Sequence, residues 1–92
     1  MKAAVFQVRN SSKIKLAVSK DAGLRLAVVL KDQTGKMYYS ETYGKEELQY
    51  RRTFDLEDLN DGTYFFELTC GDQKLSKEIE IHTNSQRLIS IE

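Results

Sequence analysis

The sequence predicts an all-β fold, an antiparallel β-sandwich of seven to eight strands, and three observations carry that prediction. Apolar residues recur at every second position in several short blocks, the period of a strand with one buried face. The blocks follow one another every 8 to 12 residues or so, with turn-forming residues between them, which is the rhythm of an all-β sandwich or barrel. A helix is plausible only over residues 44–49, and from Tyr50 onward the chain reads as extended. A chain of 92 residues has room for one hydrophobic core, so residues 1–92 form a single domain without linker, repeat or low-complexity tract.

Taken in order, residues 3–8 are a first candidate strand whose inward face is not set, because apolar residues fall on both parities. Residues 13–18 alternate cleanly, with Ile14, Leu16 and Val18 on one face and Lys13 and Lys15 on the other. Residues 24–31 place Leu24, Leu26, Val28 and Leu30 inward, against Arg25, Ala27, Val29 and Lys31 outward. Residues 36–43 again carry apolar side chains on both parities. Residues 48–56 align Leu48, Tyr50, Phe54 and Leu56, with Arg52 as the polar intruder. Residues 63–70 align Tyr64, Phe66, Leu68 and Cys70, and residues 73–81 align Leu75, Ile79 and Ile81. The block Arg87-Leu88-Ile89-Ser90-Ile91, within an extension over 83–92, reads as one more strand that pairs at an edge or reaches another copy.

The separators fit those strands. Asp21-Ala22-Gly23, Asp32-Gln33-Thr34-Gly35, Asn60-Asp61-Gly62 and Gly71-Asp72 combine Gly, which tolerates left-handed backbone, with Asp, which bonds its own backbone; Tyr43-Gly44 is the fifth break. With no proline in the chain, sheet edges must be protected by charge.

Composition narrows the chemistry. The 14 Lys and Arg cancel the 14 Asp and Glu, which argues against nucleic-acid or anionic-membrane binding through bulk charge. Zero is nevertheless a sum of unlike halves. Residues 1–36 carry eight basic and two acidic groups, a net of +6, and residues 37–92 carry six basic and twelve acidic, a net of −6. In a sandwich that sets early strands beside late ones, outward Lys13, Lys15 and Arg25 are expected to face Asp55, Glu67 or Glu80. No apolar run is long enough for a membrane span or a signal-peptide core, so either the protein stays in the cytoplasm or Met1 replaces a removed leader.

Catalysis and cofactors are not expected. One cysteine and one histidine fall short of a zinc site and rule out an internal disulfide. His82 sits on an outward parity beside Glu78 and Glu80, a surface histidine rather than the base of a nucleophile. Cys70 has inward parity and reads as a small core residue. Asp55, Glu57, Asp58 and Asp61 crowd into seven positions, yet counted from Asp58 the glycine comes fifth and Thr69 stands twelfth, which does not fit an EF-hand calcium loop. A solvated acidic corner is the better reading.

The segment Phe54-Asp55-Leu56-Glu57-Asp58-Leu59-Asn60-Asp61-Gly62-Thr63-Tyr64 has the form of a tyrosine corner of immunoglobulin-like or fibronectin-III-like sandwiches. Tyr64 folds back to upstream backbone, Leu56 and Leu59 plug the base of the core, and Gly62 permits the reversal. Together with Val29-Leu30-Lys31-Asp32-Gln33-Thr34-Gly35-Lys36-Met37 and Lys77-Glu78-Ile79, this frame resembles the immunoglobulin-like domains of exported proteins in Bacteroidetes-type Gram-negative bacteria, over residues 12–81. Two kinds of relative are implied: the C-terminal sorting domain that directs cargo through the type IX secretion system, and small stand-alone secreted sandwiches. The continuation past Ile81 and the missing Pro-containing lead-in favour the stand-alone kind. The resemblance implies a periplasmic or secreted protein without catalytic residues.

The expected function is therefore that of a binding or interaction domain. If the strand at 24–31 neighbours that at 63–70, Ala27, Val29 and Phe65 share one outer face, which Tyr38 or Tyr39 extends through the adjoining hairpin. Such a face fits a protein partner or self-association. The five Tyr and four Phe leave a carbohydrate-binding module as an alternative, without Trp as a stacking platform.

Overall fold

The computed structural model describes residues 1–44, 46–83 and 87–91. Eight strands follow in sequence: β1 (Lys2–Gln7), β2 (Lys13–Ser19), β3 (Leu26–Asp32), β4 (Met37–Tyr43), β5 (Gln49–Asp55), β6 (Gly62–Cys70), β7 (Gln73–Thr83) and β8 (Arg87–Ile91). They form a three-stranded sheet in the order β1-β2-β5 and a five-stranded sheet in the order β4-β3-β6-β7-β8, with every pairing antiparallel. The chain changes layer after β2, β4 and β5, the crossing pattern of an immunoglobulin-like sandwich.

The core lies between the layers and consists of the residues that the alternation selects. Ile14, Leu16 and Val18 of β2 and Tyr50 and Phe54 of β5 face Leu26, Val28 and Leu30 of β3, Tyr64, Phe66, Leu68 and Cys70 of β6, and Ile79 and Ile81 of β7. Parity becomes legible in β1 and β4 only here. Ala3 and Val5 of β1, and Tyr39 and Tyr43 of β4, pack against the core. Their neighbours are then forced to the outside by the pleat.

Three expectations are corrected. Leu24 and Leu48 are not core residues: β3 starts at Leu26 and β5 at Gln49, so both leucines lie in connections, 39% and 58% exposed. Leu24 instead leans on the β6–β7 turn, where a Cβ on Gly71 would stand 3.2 Å from its Cδ1. No helix forms over the described residues of 44–49, where the chain turns into β5; Lys45 lies outside the described residues.

Both flanks of the sandwich are closed by side chains. On one, Arg52 follows inward parity on β5 and lays its guanidinium 5.1 Å from the Tyr39 ring centroid and 5.7 Å from that of Phe54, with Glu41 of β4 at 3.5 Å. The polar intruder of the sequence is thus a cap over the seam between β5 and β4, its guanidinium over the aromatic rings and beside the Glu41 carboxylate. On the other, the Ile89 amide donates to Gln7 Oε1 at 3.3 Å, and Gln7 Nε2 donates to the Ser11 carbonyl at 2.8 Å.

The base of the fold is the tyrosine corner. Tyr64 Oη donates to the Asn60 carbonyl at 2.7 Å, Leu56 is buried, and Leu59 is partly buried against the core. Gly62 opens β6 with φ at +148°, a conformation that side chains disfavour. Asp61 ties the corner to the end of β7, accepting from the Thr83 amide at 2.8 Å and hydroxyl at 2.7 Å.

Candidate functional site

The outer face of the five-stranded sheet is built by β3 and β6. Their register sets Val29 opposite Glu67 and Lys31 opposite Phe65, so Val29 and Phe65 are diagonal neighbours on one surface, with Ala27 further along β3. All three are half-buried. Between the apolar side chains runs an ion pair, Lys31 Nζ to Glu67 Oε1 at 2.9 Å. One end of the face is raised by the β3–β4 loop, leaving a shallow concavity of about 430 Å³ lined by Lys31, Asp32, Thr34, Phe65, Glu67 and Ser76 among others.

That loop is stiffened by one carboxylate. Asp32 Oδ1 accepts from the Thr34 hydroxyl at 2.6 Å, the Thr34 amide at 2.8 Å and the Lys36 amide at 3.1 Å, and Oδ2 accepts from the Tyr38 hydroxyl at 3.0 Å. The Asp32 backbone joins the same turn, its amide donating to Lys36 and its carbonyl accepting from Gly35. These donors, the Thr34 hydroxyl foremost, hold the Asp32 carboxyl down at about 2, and Asp32 in return pushes the Tyr38 phenol up. Sequence reading took Asp32-Gln33-Thr34-Gly35 as a turn and missed its reach to Tyr38, although Asp followed two residues later by Thr is the available signal.

The two tyrosines do not extend the outer face. A β-bulge between Leu30 and Lys31 shifts the register by one residue, leaving Leu30 opposite Tyr39 and Lys31 opposite Met37. Tyr39 therefore turns into the core, edge-on to Phe54 with ring centroids 4.9 Å apart. Tyr38 bends to the corner, 5.6 Å from the Tyr64 ring. Tyr43 and Tyr50 also face one another inside, at 4.8 Å. The tyrosines as a set are consequently interior or loop-bound, and offer no row of stacking platforms.

The groups weighed for catalysis lie apart. Cys70 is buried at the hairpin end of β6, paired with Gln73, whereas His82 is exposed near the far end of β7 with Nε2 3.1 Å from Glu80. Two carboxylates of the acidic corner are engaged structurally: Asp55 accepts from the Glu57 amide at 3.0 Å, and Asp61 accepts from Thr83 at the end of β7. Among the described residues no three of His, Cys, Asp and Glu converge as a metal-holding group. No helix among them is long and apolar enough to cross a membrane. Lys13 stands opposite Asp55 in the β2–β5 register, one of the expected meetings of the basic and acidic halves; the Lys31–Glu67 pair is another, through a lysine not singled out beforehand.

Strand order, tyrosine corner and two capped flanks define an immunoglobulin-like β-sandwich domain with an apolar outer face. Within that class, the family model of the secretion system C-terminal sorting domain matches residues 8–82, and the chain belongs to that family. The matched segment begins just after β1 and ends one residue short of the end of β7, so all of β1 and all of β8 flank it. No curated protein matches the chain significantly. Of the two kinds of relative that the sequence resemblance implies, the match is to the sorting domain.

Proposed function

We propose that the domain is a non-catalytic sorting signal of the type IX kind, read as a folded surface by the secretion machinery that carries its protein across the outer membrane. The match to the sorting-domain family over residues 8–82 carries this reading. A folded sandwich suits a signal recognised by shape. The contact surface in this reading is the outer face of β3 and β6, where Ala27, Val29 and Phe65 supply apolar area around the Lys31–Glu67 pair. Half-buried apolar side chains around a fixed ion pair, bordered by a loop stiffened through Asp32, form a preorganised patch that loses little entropy on docking.

The experiment is a fusion of the whole chain behind a folded reporter in a type IX-competent bacterium. The reporter is expected outside the cell with the native chain and retained with the Val29→Ser/Phe65→Ser variant, while a thermal melt of the purified variant shows it folded. Retention of the native fusion, or unchanged export of the folded variant, rejects the assignment.

A further inference from the structure

The opposite outer face, that of the three-stranded sheet, has a different chemistry. Register places Phe6, Lys15 and Thr53 in one row across β1, β2 and β5, and Ala4, Ala17 and Arg51 in the next. The two alanines lower the floor of the sheet between taller neighbours. The result is a groove of about 530 Å³ lined by Phe6, Lys15, Ala17, Arg51 and Thr53, with backbone of the same strands beneath. Phe6 is 50% exposed, one of the more exposed large apolar side chains of the protein.

Charge on this face is unbalanced although the chain as a whole is neutral. Lys2, Lys13, Lys15 and Arg51 share the face with a single acid, Asp55, at its far end. None of the four cations makes an ion pair with a described residue. Lys15 and Arg51, neither ion-paired to a described residue, stand beside an exposed aromatic ring and a hydroxyl and make a site complementary to a ligand with negative charge, hydroxyls and a flat apolar ring face. The central strand β2 is hydrogen-bonded on both sides, so the groove offers no free main chain to a peptide strand and recognition must run through side chains. A duplex nucleic acid would need a basic excess that the neutral chain lacks.

We propose that this groove binds an acidic saccharide, Lys15 and Arg51 pairing with its carboxylates, Thr53 bonding a hydroxyl and Phe6 packing on a sugar ring face. Phe6 lies in β1, which precedes the family match at residue 8, whereas Lys15, Arg51 and Thr53 lie within it; the groove is on the sheet opposite the proposed sorting face.

Affinity electrophoresis of the full chain through gels containing polygalacturonate, with neutral dextran as control, tests the assignment. Polygalacturonate is expected to retard the protein and dextran to leave it unaffected. Lys15→Gln/Arg51→Gln should weaken retardation about tenfold or more and lower the log–log salt slope by about two, one for each lost cation contact. Phe6→Ser should weaken it about tenfold without changing that slope. Equal retardation by dextran, no retardation by polygalacturonate, an unchanged Phe6→Ser variant, or equally tight binding to duplex DNA or phosphatidylglycerol vesicles would overturn it. All substituted side chains are at the surface, and export of a reporter through the other sheet is unaffected by these outcomes.

Discussion

Tyr50 carries its hydroxyl into the core, where the side chain is 2% exposed and the oxygen has no hydrogen-bond partner among the described residues. Burial, reinforced by the Glu41 carboxylate, pushes the phenol from 10.0 up to about 12. Removing an unsatisfied buried hydroxyl without changing ring shape is neutral or favourable, so Tyr50→Phe should raise unfolding free energy at pH 7 by about 1 kcal/mol or leave it unchanged, as denaturant midpoints will show. Since the folded state holds the proton more tightly than the unfolded one, the neutral phenol's contribution is intact below pH 10 and is lost as pH rises toward 12. The advantage of Tyr50→Phe therefore widens across that window. Tyr64 is the converse case, a hydroxyl with a partner at 2.7 Å, and Tyr64→Phe should cost about 1 kcal/mol in the same measurement. Asp32 responds to acid. Its carboxyl is held below its ordinary value of 3.8, so the support it gives the β3–β4 loop is complete above that pH and lost as pH falls through about 2. Protection of the Thr34 and Lys36 amides, measured relative to their intrinsic exchange rates, should hold at pH 4 and fall toward pH 2; protection already lost at pH 4 would contradict the hydrogen bonding described.

At the level of strands, the β6–β7 hairpin depends on Gly71, with φ at +59° and Leu24 against its missing side chain. Gly71→Ala adds left-handed strain and a close methyl contact, and should cost roughly 1–2 kcal/mol in thermal or denaturant unfolding. The Asp next to Gly in the sequence announces this turn; the leucine above it is announced by nothing local. The same division runs through the fold. Alternation exposed the inward faces of β2, β3, β5, β6 and β7 because each has one dry side. It leaves β1 and β4 ambiguous because their outward positions carry Ala4, Phe6 and Met37, apolar residues whose direction depends on the partner strand. Arg52 looked like an interruption of β5, and its role is set by β5 and β4 bordering the same seam from different sheets. Tyr39 faces inward because it stands opposite the core residue Leu30, and the bulge that follows skips Tyr38, neither of which β4's own alternation signals. The outer-face pair Val29 and Phe65 was legible because the topology made β3 and β6 neighbours; the groove at Phe6 was not, since it needs three strands in register.

The whole molecule turns two oppositely charged chain halves into a neutral body with unlike faces. The outer surface around β3 and β6 is apolar with an internal ion pair, and that around β2 is cationic. Because the ion pairs present are exposed, each contributes at most about 1 kcal/mol, and salt should move global stability little while abolishing binding at the cationic groove. The pairings that close the sandwich join distant parts of the chain: Lys13 of β2 meets Asp55 of β5, and Leu26 of β3 meets Cys70 of β6. Such connectivity makes folding slow, on the order of milliseconds to seconds, because long loops must close before contacts repay them. The chain has no proline, so no prolyl isomerisation divides the unfolded population, and refolding should follow a single topology-limited exponential. In the proposed sorting role, strand order is a timer: it leaves the newly made chain an interval in which it is still threadable.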